Sequence, residues 1–320
     1  MTKYLQKPLD LSGLATIPLD ERGGKVRVSD FASAPRADLR ARDWLEGLPR
    51  LLAADALRAL VAAMEQARRR QKPIVWGLGG HVIKCGLAPV LIDLARRGFA
   101  TAFALNGAAA IHDFEIALSG ATSEDVEAVL PEGRFGAAEE TGREMSRAIV
   151  EGVRDGLGAG EALGRHLDQL ARPELAPYSL LVTAWRTSTP VTVHVAIGAD
   201  TPHMHPTCDP AALGVATHYD FRLFCSLVAE LDQGGVYLNV GSAVILPEVF
   251  LKAVSAVRNL GRPLRGFTTA NLDFLQHYRP RVNVVSRPHA QAGGQGITIT
   301  GHHELMIPLL AAVLADRDQG

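Results

Sequence analysis

A chain of 320 residues with 47% hydrophobic side chains can bury a large core, as one large domain or two smaller ones. Its 33 basic and 34 acidic residues leave a formal charge of −1, so no global field holds nucleic acid or an anionic membrane. Three cysteines, Cys85, Cys208 and Cys225, argue against a disulfide framework and for a reducing compartment. The opening MTKYLQKPLDL has no apolar core and no later window reaches about 18 uninterrupted apolar residues, so a soluble cytoplasmic protein is expected.

Residues 1–35 carry Pro8, Pro18, Pro35 and Gly23-Gly24 among scattered apolar positions, which favours an extended arm of the kind that packs on a neighbour. Apolar positions from Leu39 and Trp44 to Leu60, Val61 and Met64 predict one or two amphipathic helices over 36–70. From residue 72 onward strands and helices alternate. Strand candidates are 73–76, 100–105, 191–197, 235–239, 266–271, 282–285 and 297–300. Helices are expected over 87–97, 108–118, 135–172 with a break at 156–160, 178–185, 213–231, 247–259 and 304–315. The alternation predicts a doubly wound α/β fold, a mainly parallel sheet with helices on both faces, in a single domain 36–320 behind the arm. No internal repeat is visible.

The first strand runs into Gly77-Leu78-Gly79-Gly80-His81-Val82. Glycines there either let a ligand approach the backbone or only make a tight strand-to-helix turn, and both readings stay open. Val82 stands where a dinucleotide fingerprint has glycine or alanine, and Asn106, not an acid, ends the next strand. In the following helix His112 and Asp113 suit a general base and its orienting acid, although Asp113 could equally stabilise the helix dipole. The polar loop 198–210 follows a strand end, where parallel sheets place their sites. Within it His203 and His205, with Cys208 or Asp209, could ligate zinc or another transition metal, or merely cap turns. Asp200 could accept hydrogen bonds from ribose hydroxyls or cap the next turn. His302 and His303 open the last helix beside the sheet edge, and Glu248 sits in a first helical turn where a carboxylate complements the dipole.

Several stretches, taken in order, resemble the deoxyhypusine synthase family from about Lys72 to the C-terminus. They are Trp76-Gly77-Leu78-Gly79-Gly80-His81-Val82-Ile83-Lys84-Cys85-Gly86, Asn106-Gly107-Ala108-Ala109-Ala110-Ile111-His112-Asp113 and Gly234-Gly235-Val236-Tyr237-Leu238-Asn239. Thr268-Thr269-Ala270-Asn271 and Ile297-Thr298-Ile299-Thr300-Gly301-His302-His303-Glu304 follow. The resemblance implies a dinucleotide-binding-like sheet, a dimer or tetramer, and NAD bound by Gly79, Gly80, His81, Asn106, Gly107, Asp200, Thr201, Gly234, Gly235, Thr269 and Ala270. The family oxidises spermidine and passes an aminobutyl group through an enzyme lysine, which holds it as an imine. That lysine has no counterpart here. The chain's lysines are Lys3, Lys7, Lys25, Lys72, Lys84 and Lys252, and Arg287-Pro288-His289 occupies the similar place. The family's acid-rich amine-binding loop is replaced by a stretch bearing Arg279, Arg281 and Arg287, where a polyamine would be repelled. Guanidinium groups clasp carboxylates and phosphates, so a small anionic substrate is expected, held by these arginines with His302 and His303 nearby. Ordinary surface ion pairs are the alternative.

Three functions follow as expectations. The first is an NAD-binding enzyme acting on a small, possibly anionic metabolite, with His112, Asp113 and His289 as acid–base groups. The second is a metal-dependent hydrolase or lyase built on the His203/His205 loop. The third is a non-catalytic, nucleotide-binding oligomer.

Overall fold

The computed structural model describes residues 3–317. Residues 3–40 contain one short 3-10 turn, Val28–Asp30, and expose nearly every side chain. The helical lead-in is two helices, α1 (Ala41–Gly47) and α2 (Leu52–Arg69), and Leu60, Val61, Met64 and Ala67 of α2 are buried. Then come β1 (Ile74–Leu78), a single turn α3 (Gly80–Lys84), α4 (Ala88–Arg96), β2 (Ala102–Asn106) and α5 (Gly107–Ser119). A helical excursion follows, α6 (Val126–Val129), α7 (Glu139–Arg154), α8 (Ala159–Leu170) and α9 (Leu180–Arg186). The chain returns through β3 (Val191–His194), α10 (Pro210–Ala229), β4 (Val236–Val240), α11 (Ile245–Asn259), β5 (Thr268–Asp273), β6 (Gln295–Thr300) and α12 (His303–Arg317).

The six strands form one sheet in the order β3-β2-β1-β4-β5-β6, with every pairing parallel. A parallel sheet needs both faces covered, and alternate side chains divide between two cores. Trp76, Leu78, Phe103, Leu105 and Leu238 join residues of α2, α4, α5, α8, α9 and α12. Val75, Ala102, Ala104 and Tyr237 join α10, α11 and Val284. The doubly wound α/β architecture expected from the alternation is therefore present, and β1 is the strand at which the order reverses.

One strand candidate is corrected. Residues 282–285 lie within a π-helical turn, Pro280–Ser286, that buries Val284 against α11. β5 and β6 are parallel neighbours, so the chain must cross over a sheet face between them, and a strand cannot make that return. Pro280 and Pro288 bracket the wound segment.

Candidate active site

The carboxyl ends of the strands carry the loops from which a site can be built. At the end of β1 the glycine turn is closed by protein. Gly79 N–H donates to Val240 O at 2.9 Å, and a methyl group on Gly79 would lie 2.0 Å from the Gly241 carbonyl oxygen. A methyl on Gly80 would meet Ala108 Cβ at 2.8 Å. Close backbone packing, not an open ligand cradle, is what requires glycine at both positions. Gly77 makes room in the same way for the hydroxyl of Tyr237.

Beside this turn lies a pocket of about 250 Å³, lined by Lys84, Ile111, His112, Glu115, Asp200 and Thr201 among others. α5 brings His112 to it and Asn106 caps α5, its Oδ1 accepting from Ala109 N at 2.9 Å. His112 Nδ1 is 2.7 Å from Thr122 Oγ1, and Thr122 donates its one hydroxyl proton to Glu115 Oε2. Thr141 Oγ1 also donates to Glu115, at 3.2 Å. With that proton committed, Thr122 can only accept from the ring, so Nδ1 carries hydrogen and Nε2 is a bare lone pair. Burial holds the imidazole below its ordinary pKa of 6.5, which keeps it neutral at pH 7.

The orienting acid for His112 is thus Glu115, acting through Thr122. Asp113 projects into the interior, where it accepts from Ser179 Oγ at 2.6 Å, Leu180 N at 2.7 Å and Leu181 N at 2.9 Å. It caps α9 from outside that helix, and burial raises its pKa to about 6. Asp200, reached through the β3–α10 loop, accepts from Ala196 N at 2.8 Å. Its carboxylate fills the space a methyl on Gly107 would need, at 2.1 Å, and burial pushes its pKa up. The start of α5 is therefore already faced by a carboxylate.

On the other flank of α3, His81, His302 and His303 gather round Phe274. The His81 and His303 ring centroids are 5.5 Å apart, and His302 stacks on Phe274 at 5.9 Å. A buried amide chain lies alongside, which sequence reasoning missed. Asn239 Nδ2 donates to Asn271 Oδ1 at 2.7 Å, and Asn271 Nδ2 donates to Gln276 Oε1 at 2.7 Å.

The remaining expected residues are not brought to this edge. Gly234 and Gly235 precede β4, at the opposite end of the sheet, and a methyl on Gly235 would strike Leu231. Thr269 contacts His289 Nε2 at 2.8 Å near the start of β5, and Ala270 is core. Arg279 pairs with Glu248 of α11 at 3.2 Å, and Arg287 donates to Asn283 Oδ1 at 2.8 Å. With exposed Arg281, these arginines belong to the connection over the α10–α11 face, whereas His112 is on a helix of the other face. His205 is held by Glu139 at 3.1 Å and Thr207 at 2.8 Å, while His203 faces a small cavity with Cys208 and Asp209. Among the described residues, the loop at 198–210 does not bring three candidate metal-binding atoms together, whereas His81, Cys85 and Glu304 place theirs within 4.8 Å of one another.

No protein-family model matches the sequence, and no curated protein does. Solved structures of similar fold include a conserved "putative LOR/SDH protein" from Methanococcus maripaludis S2, with 15% identity and a TM-score of 0.52 over 84% of this chain and 71% of that one. AgrE, solved as a ternary complex with ornithine and NAD+, has 15% identity and a TM-score of 0.52 over 85% of this chain and 35% of its own. A "putative deoxyhypusine synthase" from Entamoeba histolytica has 8% identity and a TM-score of 0.49, over 86% and 93%. The chain thus spans about a third of AgrE. The likeness is one of fold, and activity has to be argued from geometry.

Proposed function

We propose that the chain is an NAD-binding enzyme that acts on a small polar metabolite in the His112 pocket, with His112 as general base. The observation that carries this is the Glu115–Thr122–His112 relay. It fixes one tautomer, and His112 Nε2 has no hydrogen-bond partner among the described residues. A neutral imidazole so oriented is poised to take a proton from a substrate hydroxyl or amine. Lys84 is the one lysine or arginine lining the pocket and is set against Glu115, Glu124 and Asp200, so the lining suits a polar substrate and does not reproduce the arginine cluster expected to hold an anion. Ile111, Val126 and Phe135 give the pocket an apolar side.

Support for the cofactor comes from the pocket's place at the carboxyl ends of β1, β2 and β3, where parallel sheets carry their sites, and from AgrE, a protein of similar fold solved with NAD+. Fit at the site is uneven. Asp200 and Thr201 suit ribose hydroxyls, but the Asp200 carboxylate and the closed Gly79 turn offer a pyrophosphate nothing. NAD held by Asp200 and Thr201 would supply a hydride acceptor, and His112 would take the proton from the substrate hydroxyl or amine.

Thermal unfolding in the presence of NAD+, NADP+ and adenine nucleotides tests the reading, because a ligand of the folded form raises the melting point by mass action. NAD+ should raise it for the parent chain and for His112→Ala alike, while His112→Ala abolishes turnover of whichever metabolite the parent oxidises. No shift with either dinucleotide removes the cofactor from the proposal. Full turnover in His112→Ala removes the base.

A further inference from the structure

The flank of α3 that faces away from the His112 pocket holds a second cluster with different chemistry. His81 and Cys85 are one helical turn apart, with His81 Nε2 3.2 Å from Cys85 Sγ. Glu304, in the first turn of α12, brings a carboxylate to the same point, and the three donor atoms lie within 4.8 Å of one another. Nitrogen, sulfur and oxygen donors at that spacing match the ligand set of a tetrahedral zinc-class ion. One thiolate and one carboxylate would also cancel the charge of a divalent cation.

His303 gives an independent sign. Its ring is fully buried beside His81, and its Nε2 lies 3.2 Å from the Leu272 carbonyl, which can only accept. Nε2 therefore carries the hydrogen, and Nδ1 is a buried lone pair with no hydrogen-bond partner. A donor such as a bound water is what that nitrogen lacks.

We propose that His81, Cys85 and Glu304 bind a divalent transition ion of zinc's class, with the fourth coordination position left to water. The competing reading of the pair is a thiol–imidazole nucleophile. It is disfavoured by geometry, because Glu304 brings a carboxylate to within 4.8 Å of the sulfur and a negative neighbour opposes the thiolate a nucleophile needs. A carboxylate that opposes a bare thiolate is a fitting co-ligand once a cation sits between them. The site also differs from the loop expected from sequence, and it stands apart from the reading of the His112 pocket.

Cobalt(II) is the probe, since cobalt bound by thiolate shows a near-ultraviolet charge-transfer band. Chelator-treated full-length protein titrated with Co2+ should bind one ion per chain and develop that band. The band should vanish in Cys85→Ser and persist in Cys208→Ser and Cys225→Ser. His81→Gln and Glu304→Gln should weaken binding roughly tenfold or more. No band in the parent chain, or a band that disappears with Cys208 or Cys225, overturns the proposal even should Cys85→Ser fail to fold.

Discussion

A single hydroxyl proton decides which nitrogen of His112 is bare. Thr122→Val deletes that hydroxyl and leaves Glu115 without a route to the ring, so the imidazole should populate both tautomers. Nitrogen-15 spectra of the side chain should show the Nδ1–H form in the parent and a mixture in the variant. Turnover should fall by less than the roughly 10²–10⁴-fold expected from removing the base itself. Because burial depresses the His112 pKa, the acid limb of the pH–rate profile should lie below 6.5, and activity should rise with pH through it. At Asp113 the expectation differs in kind. Asp113→Ala strands the N–H groups of Leu180 and Leu181 in the interior, and denaturant titration should show a loss of roughly 1–3 kcal/mol for each unsatisfied group.

The glycines separate two kinds of constraint at the level of turns and helices. Gly79→Ala forces a methyl into the Gly241 carbonyl and should lower the melting temperature sharply, by about 1–3 kcal/mol or more in stability. Gly214, inside α10 with open space around it, should gain roughly 0.5–1 kcal/mol on substitution by alanine. The sequence showed that glycine was needed after β1 but not what it faced, because a ligand and a neighbouring carbonyl demand the same missing side chain. Six of the seven strand candidates were legible because buried parallel strands read as short apolar runs. The seventh, 282–285, reads identically, and only the neighbour relation of β5 and β6 rules it out. His112 and Glu115 share a helix face at a spacing of three, which is visible in the sequence. Thr122 is not, since it reaches the ring only after Gly120 turns the chain through a left-handed conformation of φ 77°. The Arg279, Arg281 and Arg287 grouping fails for a related reason: nearness in sequence did not place them on the sheet face that carries His112.

Across the molecule, two buried carboxyls couple stability to pH. Asp220 of α10 accepts from Gly160 N at 2.8 Å and Val193 N at 2.7 Å, tying α8 to the edge strand β3, and burial raises its pKa to about 7. Asp113 behaves alike, at about 6. Both keep their protons in the folded chain at pH values where the unfolded chain, near 3.8, has released them. Their contribution is complete below that value and is lost as pH rises toward 6 and 7, by up to about 1.4 kcal/mol per pH unit for each group. Asp220→Asn keeps an oxygen for both N–H donors, so its stability relative to the parent should grow from pH 4 to pH 8 in denaturant melts. The arm makes a separate prediction. Leu5, Leu9, Leu14 and Leu19 are 97%, 83%, 69% and 77% exposed, so the homo-oligomer expected from sequence would bury them on a second copy. Deleting residues 1–35 should then reduce the mass measured by light scattering, whereas a full chain that runs as a monomer would end that expectation. Finally, α3 is five residues long and anchored by Val82 and Ile83; Lys84 lines the His112 pocket while its charge also acts on Cys85, and His81 packs on His303. So short a lever cannot tilt one end without the other. If an occupant on one side strengthens or weakens binding across it, reciprocity requires the same factor in return, and titrating either partner at fixed levels of its counterpart would measure that cross-talk.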